Sequence, residues 1–205
     1  MPRKTVSWVK ERRKEHYHQM AKRRGYRSRA YYKLKQIDSR FNILRKNMRV
    51  VDLGAAPGGW TQYAAEAVGE GGLIVGVDLR KMEPLPYENV KTLRLDVTEE
   101  EAPKKILEAT RGRVDVLLSD LSPSVSGVWT VDVARQVALC EEALRISDGI
   151  LRRGGSMIMK VFEGKDTPRI IEWLKREFSV VRLFKPPASR KRSSEVYALC
   201  FGFKG

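Results

Sequence analysis

VVDLGAAPGGW, residues 50–60, is the stretch on which the fold turns. Val50, Val51 and Leu53 form a short apolar run, nearly every side chain from Gly54 to Gly59 is small, and Trp60 opens a helical pattern. Strand, tight turn and helix make the entry to a βαβ unit, and such units bind ligands at the carboxyl edge of the sheet. The glycine spacing is G-x-x-x-G-G rather than G-x-G-x-x-G, so the dinucleotide fingerprint is absent. No Gly-Lys-Ser/Thr follows, which excludes a Walker loop, and Pro57 removes one N–H from any phosphate cradle. The turn suits a ligand without a pyrophosphate, approaching the backbone of Gly54, Ala55, Ala56, Gly58 and Gly59 closely.

Working outward, β-branched runs alternate with helical periodicity. Strands are expected at 49–53, 73–78, 90–95, 114–120, 156–162, 178–184 and 196–203, and helices near 59–68, 99–110, 131–152 and 167–177. Pro84 and Pro86 keep any helix between Leu79 and Asn89 short. This alternation predicts an α/β, doubly wound, mostly parallel seven-stranded sheet. Only KPPASRKRSSE (185–195) separates the last two strands, too little for a crossover helix, so the last strand should run antiparallel.

Charge divides the chain. Residues 1–49 carry 17 Lys or Arg against the acids Glu11, Glu15 and Asp38, whereas the whole 205-residue chain has a net charge of +15. The reading is a basic helical N-terminal extension, 1–48, packed on a balanced domain, 49–205. Within the extension, Thr5 or Ser7 should open a helix through Met20, Gly25 should break it, and Ser28 should cap a second helix, RAYYKLKQIDSRF (29–41). A second basic cluster holds Lys185, Arg190, Lys191 and Arg192. Both point to a polyanion, most simply RNA, with Tyr26, Tyr31 and Tyr32 available to stack on bases. The basic segment lacks a broad apolar face for a membrane surface, and no apolar run approaches the ~20 residues of a bilayer span. There is no apolar signal segment, and Cys140 and Cys200 form no metal motif, so a cytoplasmic protein without a metal is expected.

Asp78 ends the second strand and Asp96 the third. Each taken alone reads equally as a helix cap; with the glycine turn they suit an adenosine, one accepting ribose hydroxyls and the other the adenine amino group. In GGSMIMKVFEG (154–164), Lys160 interrupts an apolar strand, where a desolvated ammonium is costly. A lysine near a strand end more often snorkels to solvent. His16 and His18 are read as RNA-contacting or solvated.

Five segments, RSRAYYKL (27–34), DLGAAPGGW (52–60), SDLSPSVSG (119–127), KVFEG (160–164) and SSEVY (193–197), together resemble the FtsJ/RrmJ ribose 2′-O-methyltransferases from about residue 25 onward. The resemblance implies a Rossmann-like class I fold and S-adenosylmethionine as methyl donor. The donor would be contacted by Gly54, Ala55, Pro57, Gly58, Gly59, Trp60, Asp78, Asp96 and Asp120. It also implies a catalytic tetrad of Lys33, Asp120, Lys160 and Glu195. Lys160 can take the proton of a 2′-hydroxyl only as a neutral amine; burial and a sulfonium favour that form, while Asp120 and Glu195 favour the ammonium. The alternative is a charged Lys160 that orients the hydroxyl. DLSPS has one proline and no aromatic, which disfavours methylation of a planar base amine. The implied substrate is a uridine of the large-subunit rRNA A-loop, presented on an assembled or nearly assembled particle to a monomeric enzyme. Ser122 and Ser124 depart from the family loop and weaken that assignment. Ribose methylation of tRNA and a non-catalytic RNA-binding assembly factor are the competing readings.

Overall fold

A computed structural model describes residues 17–124, 126–190 and 193–205. The β-branched runs become β1 (Arg49–Leu53), β2 (Leu73–Asp78), β3 (Val90–Arg94), β4 (Val114–Ser119), β5 (Leu151–Phe162), β6 (Phe178–Phe184) and β7 (Glu195–Phe203). They form one sheet in the order β3-β2-β1-β4-β5-β7-β6. Pairing is parallel from β3 through β5, and β7 is antiparallel to both β5 and β6. The expected α/β class and the reversed last strand are both present. Helices are α1 (the described part being 17–23), α2 (Ala30–Phe41), α3 (Gly59–Val68), α4 (Ala102–Thr110), α5 (Trp129–Ile150) and α6 (Thr167–Glu177).

Several boundaries differ from expectation, and those of α4, α5 and β5 do so for reasons the structure shows. α4 starts at Ala102 rather than near 99, because Pro103 has no N–H to donate and belongs in a first helical turn. α5 ends at Ile150, and β5 begins at Leu151 and runs straight through the Gly154–Gly155 pair. A register shift between Val114 and Val116 absorbs that longer strand, and Arg152 pins it through a 2.6 Å ion pair to Asp115. The expected helix start at Thr5 or Ser7 lies outside the described residues. Gly25, at φ +70°, does separate α1 from α2, but the N-cap position of α2 falls to Arg29 without a side-chain cap, and Ser28 Oγ accepts the N–H of Ala30 at 3.2 Å from one residue before it.

Strand alternation splits the core between the two faces of the sheet. Val51, Leu53, Met157, Met159 and Val161 pack with α4, α5 and α6. Val50, Ile74, Ile158 and Tyr197 pack instead with Leu34 and Ile37 of α2 and Trp60 and Ala64 of α3. Lys160 lies two residues past Ile158 and so falls on the same, α2/α3 face. α2 therefore supplies core to the sheet and also reaches the start of β7 through Lys33.

The tyrosines correct one expectation. Tyr31 and Tyr32 are buried with Ala21 and Ala188, and Tyr26 stacks on Tyr31 at 3.6 Å between ring centroids. Apolar rings gain more from packing α1 onto α2 than from exposure, so Tyr31 and Tyr32 are not free to stack on bases. Among the described residues, no helix is long and apolar enough to cross a membrane.

Candidate active site

The glycine turn sits at the carboxyl edge of the sheet, between β1 and α3. Gly54 and Ala55 donate their N–H groups to Val77 O at 2.9 and 3.1 Å, and Asp120 N–H donates to Leu53 O at 3.0 Å. The ends of β1, β2 and β4 are thus tied together. Gly54 has φ +74°, and a Cβ there would lie 3.1 Å from the Leu121 backbone, so the turn is glycine because β4's exit loop crosses it. Gly59 has a different reason, and it corrects the expectation that its smallness admits a ligand. A Cβ there would come within 2.2 Å of Ser28 Oγ and 3.2 Å of Tyr31 N. Its small size seats the start of α2. Gly58, at φ +112°, faces Met82 and Leu85, and Pro57 follows Ala56 in the same turn. Trp60 is only 2% exposed and lies against the Tyr197 ring, 5.4 Å between centroids; here it is a core aromatic.

Asp78 and Asp96 stand at successive strand ends. Asp78 is buried; its Oδ2 accepts the Ala56 N–H at 2.9 Å, and its Oδ1 accepts Arg80 N–H at 2.9 Å and Arg80 Nε at 3.3 Å. The exposed Arg80 side chain also reaches Ala56 O at 2.9 Å, so it lies across the turn as a removable cover. Asp96 is half-buried, and its Oδ1 accepts the backbone N–H and the hydroxyl of Thr98, which hold its carboxyl below the usual range. Beside Asp78, Leu79 is 60% exposed, an apolar surface the sequence reading passed over.

One further carboxylate, Asp52, lies directly under the turn and is fully buried. Burial pushes its carboxyl up to about 7, against the pull of the Thr61 hydroxyl 2.7 Å from Oδ2 and with help from Asp120 and Asp78. Its Oδ1 has no hydrogen-bond partner among the described residues.

The four residues Lys33, Asp120, Lys160 and Glu195, from α2, the end of β4, β5 and β7, meet in one network. Lys33 Nζ donates to Glu195 Oε1 at 2.6 Å and to Tyr197 Oη at 3.2 Å. The Tyr197 hydroxyl lies 3.1 Å from Asp120 Oδ1 and 3.0 Å from Glu195 Oε1, one proton facing two acceptors. Lys160 Nζ donates to the backbone oxygen of Asp120 at 2.7 Å and sits 3.3 Å from Asp120 Oδ1. Both lysines are buried, at 6% and 5% exposure, so neither snorkels. Burial raises the Glu195 carboxyl, but Lys33, Lys160 and the Tyr197 hydroxyl outweigh it and leave it below its usual range. Burial and the two carboxylates keep the Tyr197 phenol protonated.

Tyr197, the hub, was missed in the sequence although a signal existed: it follows Glu195 by two residues, the spacing that puts both on one face of a strand. Behind the network, buried Gln136 of α5 donates to Lys160 O at 3.0 Å and locks that strand end to the helix. In front of it stands Arg29, half-buried, its guanidinium disfavoured by burial and by the adjacent Arg190, with Glu195, Tyr197 and Asp120 acting in the opposite sense. Arg29 and Arg190 thus add two guanidiniums to the charges that act on Glu195, Tyr197 and Asp120.

A sequence profile described as FtsJ-like methyltransferase matches residues 26–203. The chain belongs to this family. It is 50% identical over 91% of its length to a protein of Methanothrix thermoacetophila named ribosomal RNA large subunit methyltransferase E, covering 71% of that protein. A protein of the same name from Methanothermobacter thermautotrophicus is 43% identical, with 97% of this chain and 94% of that one covered. Among solved structures, a Plasmodium falciparum chain titled a ribosomal RNA methyltransferase superposes with a TM-score of 0.77 at 28% identity, covering 88% of this chain and all of that one. This FtsJ-like methyltransferase shares with that chain the sheet whose carboxyl edge carries both the turn and the network.

Proposed function

We propose that the protein methylates RNA on a ribose 2′-hydroxyl, with S-adenosylmethionine as donor and a uridine in the A-loop of large-subunit rRNA as acceptor. The observation that carries the reading is the pair of buried lysines joined to Asp120 and Glu195 through Tyr197, at the sheet edge beside the glycine turn. A binding module gains nothing from two buried lysines, whose charged form is costly to desolvate.

The donor fits the turn on two grounds. Asp78 holds a carboxylate under a displaceable arginine, ready for a ribose diol, with Leu79 offering apolar surface to an adenine. Asp96 keeps its second oxygen for an amino group, and Gly54, Ala55, Pro57 and Gly58 form the turn against which the donor would lie, while Gly59 seats α2 and Trp60 packs beneath. When bound, the donor supplies a methyl group on a cationic sulfur.

The protein's share is alignment and removal of one proton. As a neutral amine, Lys160 has two N–H bonds, and the two Asp120 oxygens can take both. Its lone pair is then the remaining valence, free for the hydroxyl proton. Glu195 is anchored through Oε1 to Lys33, Tyr197 and Ser189, and its Oε2 can accept from a neighbouring ribose hydroxyl. Lys33 holds Glu195 ionised, and Arg29 with Arg190 takes the flanking phosphate. The names of the relatives favour large-subunit rRNA over tRNA.

The test is labelled methyl transfer to large ribosomal subunits, free rRNA and tRNA, followed by nuclease digestion to nucleosides. Label in 2′-O-methyluridine from subunits or rRNA is expected. Label in a methylated base, or in tRNA alone, overturns the assignment.

A further inference from the structure

We infer that Trp129, stacked on Phe162 at the rim of the network, is a platform on which a base of the RNA substrate stacks. The residue is the first of the 22-residue helix α5 and is 53% exposed, next to Val128 at 54% and Val131 at 39%. A tryptophan is the largest apolar side chain, and leaving more than half of one in water, flanked by two exposed valines, needs a reason. Its ring lies 5.9 Å from that of Phe162 at an interplanar angle of 15°. One face is thus supported by a second ring, while much of the surface remains open.

The placement ties this surface to the chemistry. Phe162 follows Lys160 by two residues on β5, so it falls on the same side of the sheet about 7 Å along the strand. It stands opposite Glu195 in the β5–β7 register. A ring stacked on Phe162 is therefore within about one nucleotide of a ribose held at Lys160. The mounting is rigid. Asp132, 6% exposed, accepts the Ser126 N–H at 2.8 Å and its hydroxyl at 2.7 Å, which closes the loop before the helix. Seven residues after Trp129, Gln136 holds α5 to Lys160's own carbonyl. The helix that begins with Trp129 is thus bonded to the strand that carries the amine.

The occupant is a nucleobase rather than a protein side chain. The exposed patch is a few residues wide, too small for a stable protein interface, whereas one open aromatic face is what a base needs. It is continuous with the network where the ribose is proposed to sit, and Arg135, exposed on the next turn and bonded to Ser124 O, keeps that rim cationic. The platform would also replace Tyr31 and Tyr32, which packing has withdrawn from that task.

Given RNA as the methyl acceptor, the reading on which this rests, the experiment compares wild type with Trp129→Ala, Trp129→Leu and Trp129→Phe. Methyl transfer to large subunits is measured together with S-adenosylmethionine affinity. Trp129→Ala and Trp129→Leu should raise KM for the subunit by about tenfold with donor affinity unchanged, and Trp129→Phe should recover most of the loss. Binding of oligouridylate should quench tryptophan fluorescence in wild type and do so much less in Trp129→Phe. If Leu serves as well as Phe, or Ala leaves KM and quenching as in wild type, the platform is refuted while ribose methylation stands. If wild type transfers no methyl group to RNA, the parent reading has failed and the platform with it.

Discussion

Replacing Tyr197 by Phe tests the hub of the network. The change removes one hydroxyl and leaves the buried ring against Trp60. That hydroxyl meets Lys33, Asp120 and Glu195 at 3.2, 3.1 and 3.0 Å, all three charged groups. A hydrogen bond to a charged group contributes ~1.5–3 kcal/mol, and the Lys33–Glu195 contact survives to limit the damage. Tyr197→Phe should therefore lose roughly 1.5–3 kcal/mol of stability in urea unfolding at neutral pH. Single-turnover methyl transfer should slow by about tenfold or more, because Asp120 and Glu195 are no longer held in one geometry. Donor affinity should move less than the rate, since of the expected donor contacts only Asp120 meets the hydroxyl. A variant within about 0.5 kcal/mol of wild type and within about twofold in rate would refute the hub.

Other outcomes follow from the same geometry. Asp52 binds its proton more tightly folded, at about 7, than unfolded, near 3.8, so its stabilising contribution is complete below about pH 4 and lost as pH rises through about 7. The loss is of order 4 kcal/mol for so buried a group; Asp52→Asn should flatten this part of the stability–pH curve, and parallel curves for the two proteins would contradict it. Gly59→Ala should cost ~1–3 kcal/mol in urea unfolding by displacing the start of α2, with part regained in Gly59→Ala/Ser28→Gly; a wild-type midpoint in the single variant would show that Ser28 yields freely. Asp78→Asn should weaken S-adenosylmethionine binding by about tenfold in calorimetry while Arg80→Ala does not, and the reverse ranking would make Arg80 a ligand rather than a cover.

What the sequence made legible was whatever is local. β1, the glycine turn and α3 could be placed because apolar runs, small residues and helical period change within ten residues of one another. β5 was expected only from 156, after the Gly154–Gly155 pair, and only pairing with β4 shows that the strand starts at Leu151 and passes through both glycines. The tetrad members were legible as motifs, yet their convergence was not, since Lys33 and Glu195 are separated by 162 positions. Asp52 carries no signal in its local pattern, because its burial depends on elements that pack over it. Gly59 looked like room for a ligand and proved to be room for Ser28, a contact between segments that no local pattern announces.

The central claim is that Lys160 takes the proton, and single-turnover methyl transfer by Lys160→Arg against pH tests it most directly. Arginine keeps the charge and the donors but stays protonated. If Lys160 is the base, the wild-type rate rises with pH, while the arginine variant is slower by about a hundredfold or more throughout. A flat wild-type profile, with an arginine variant within about tenfold of it, would contradict the account and leave Lys160 an electrostatic guide.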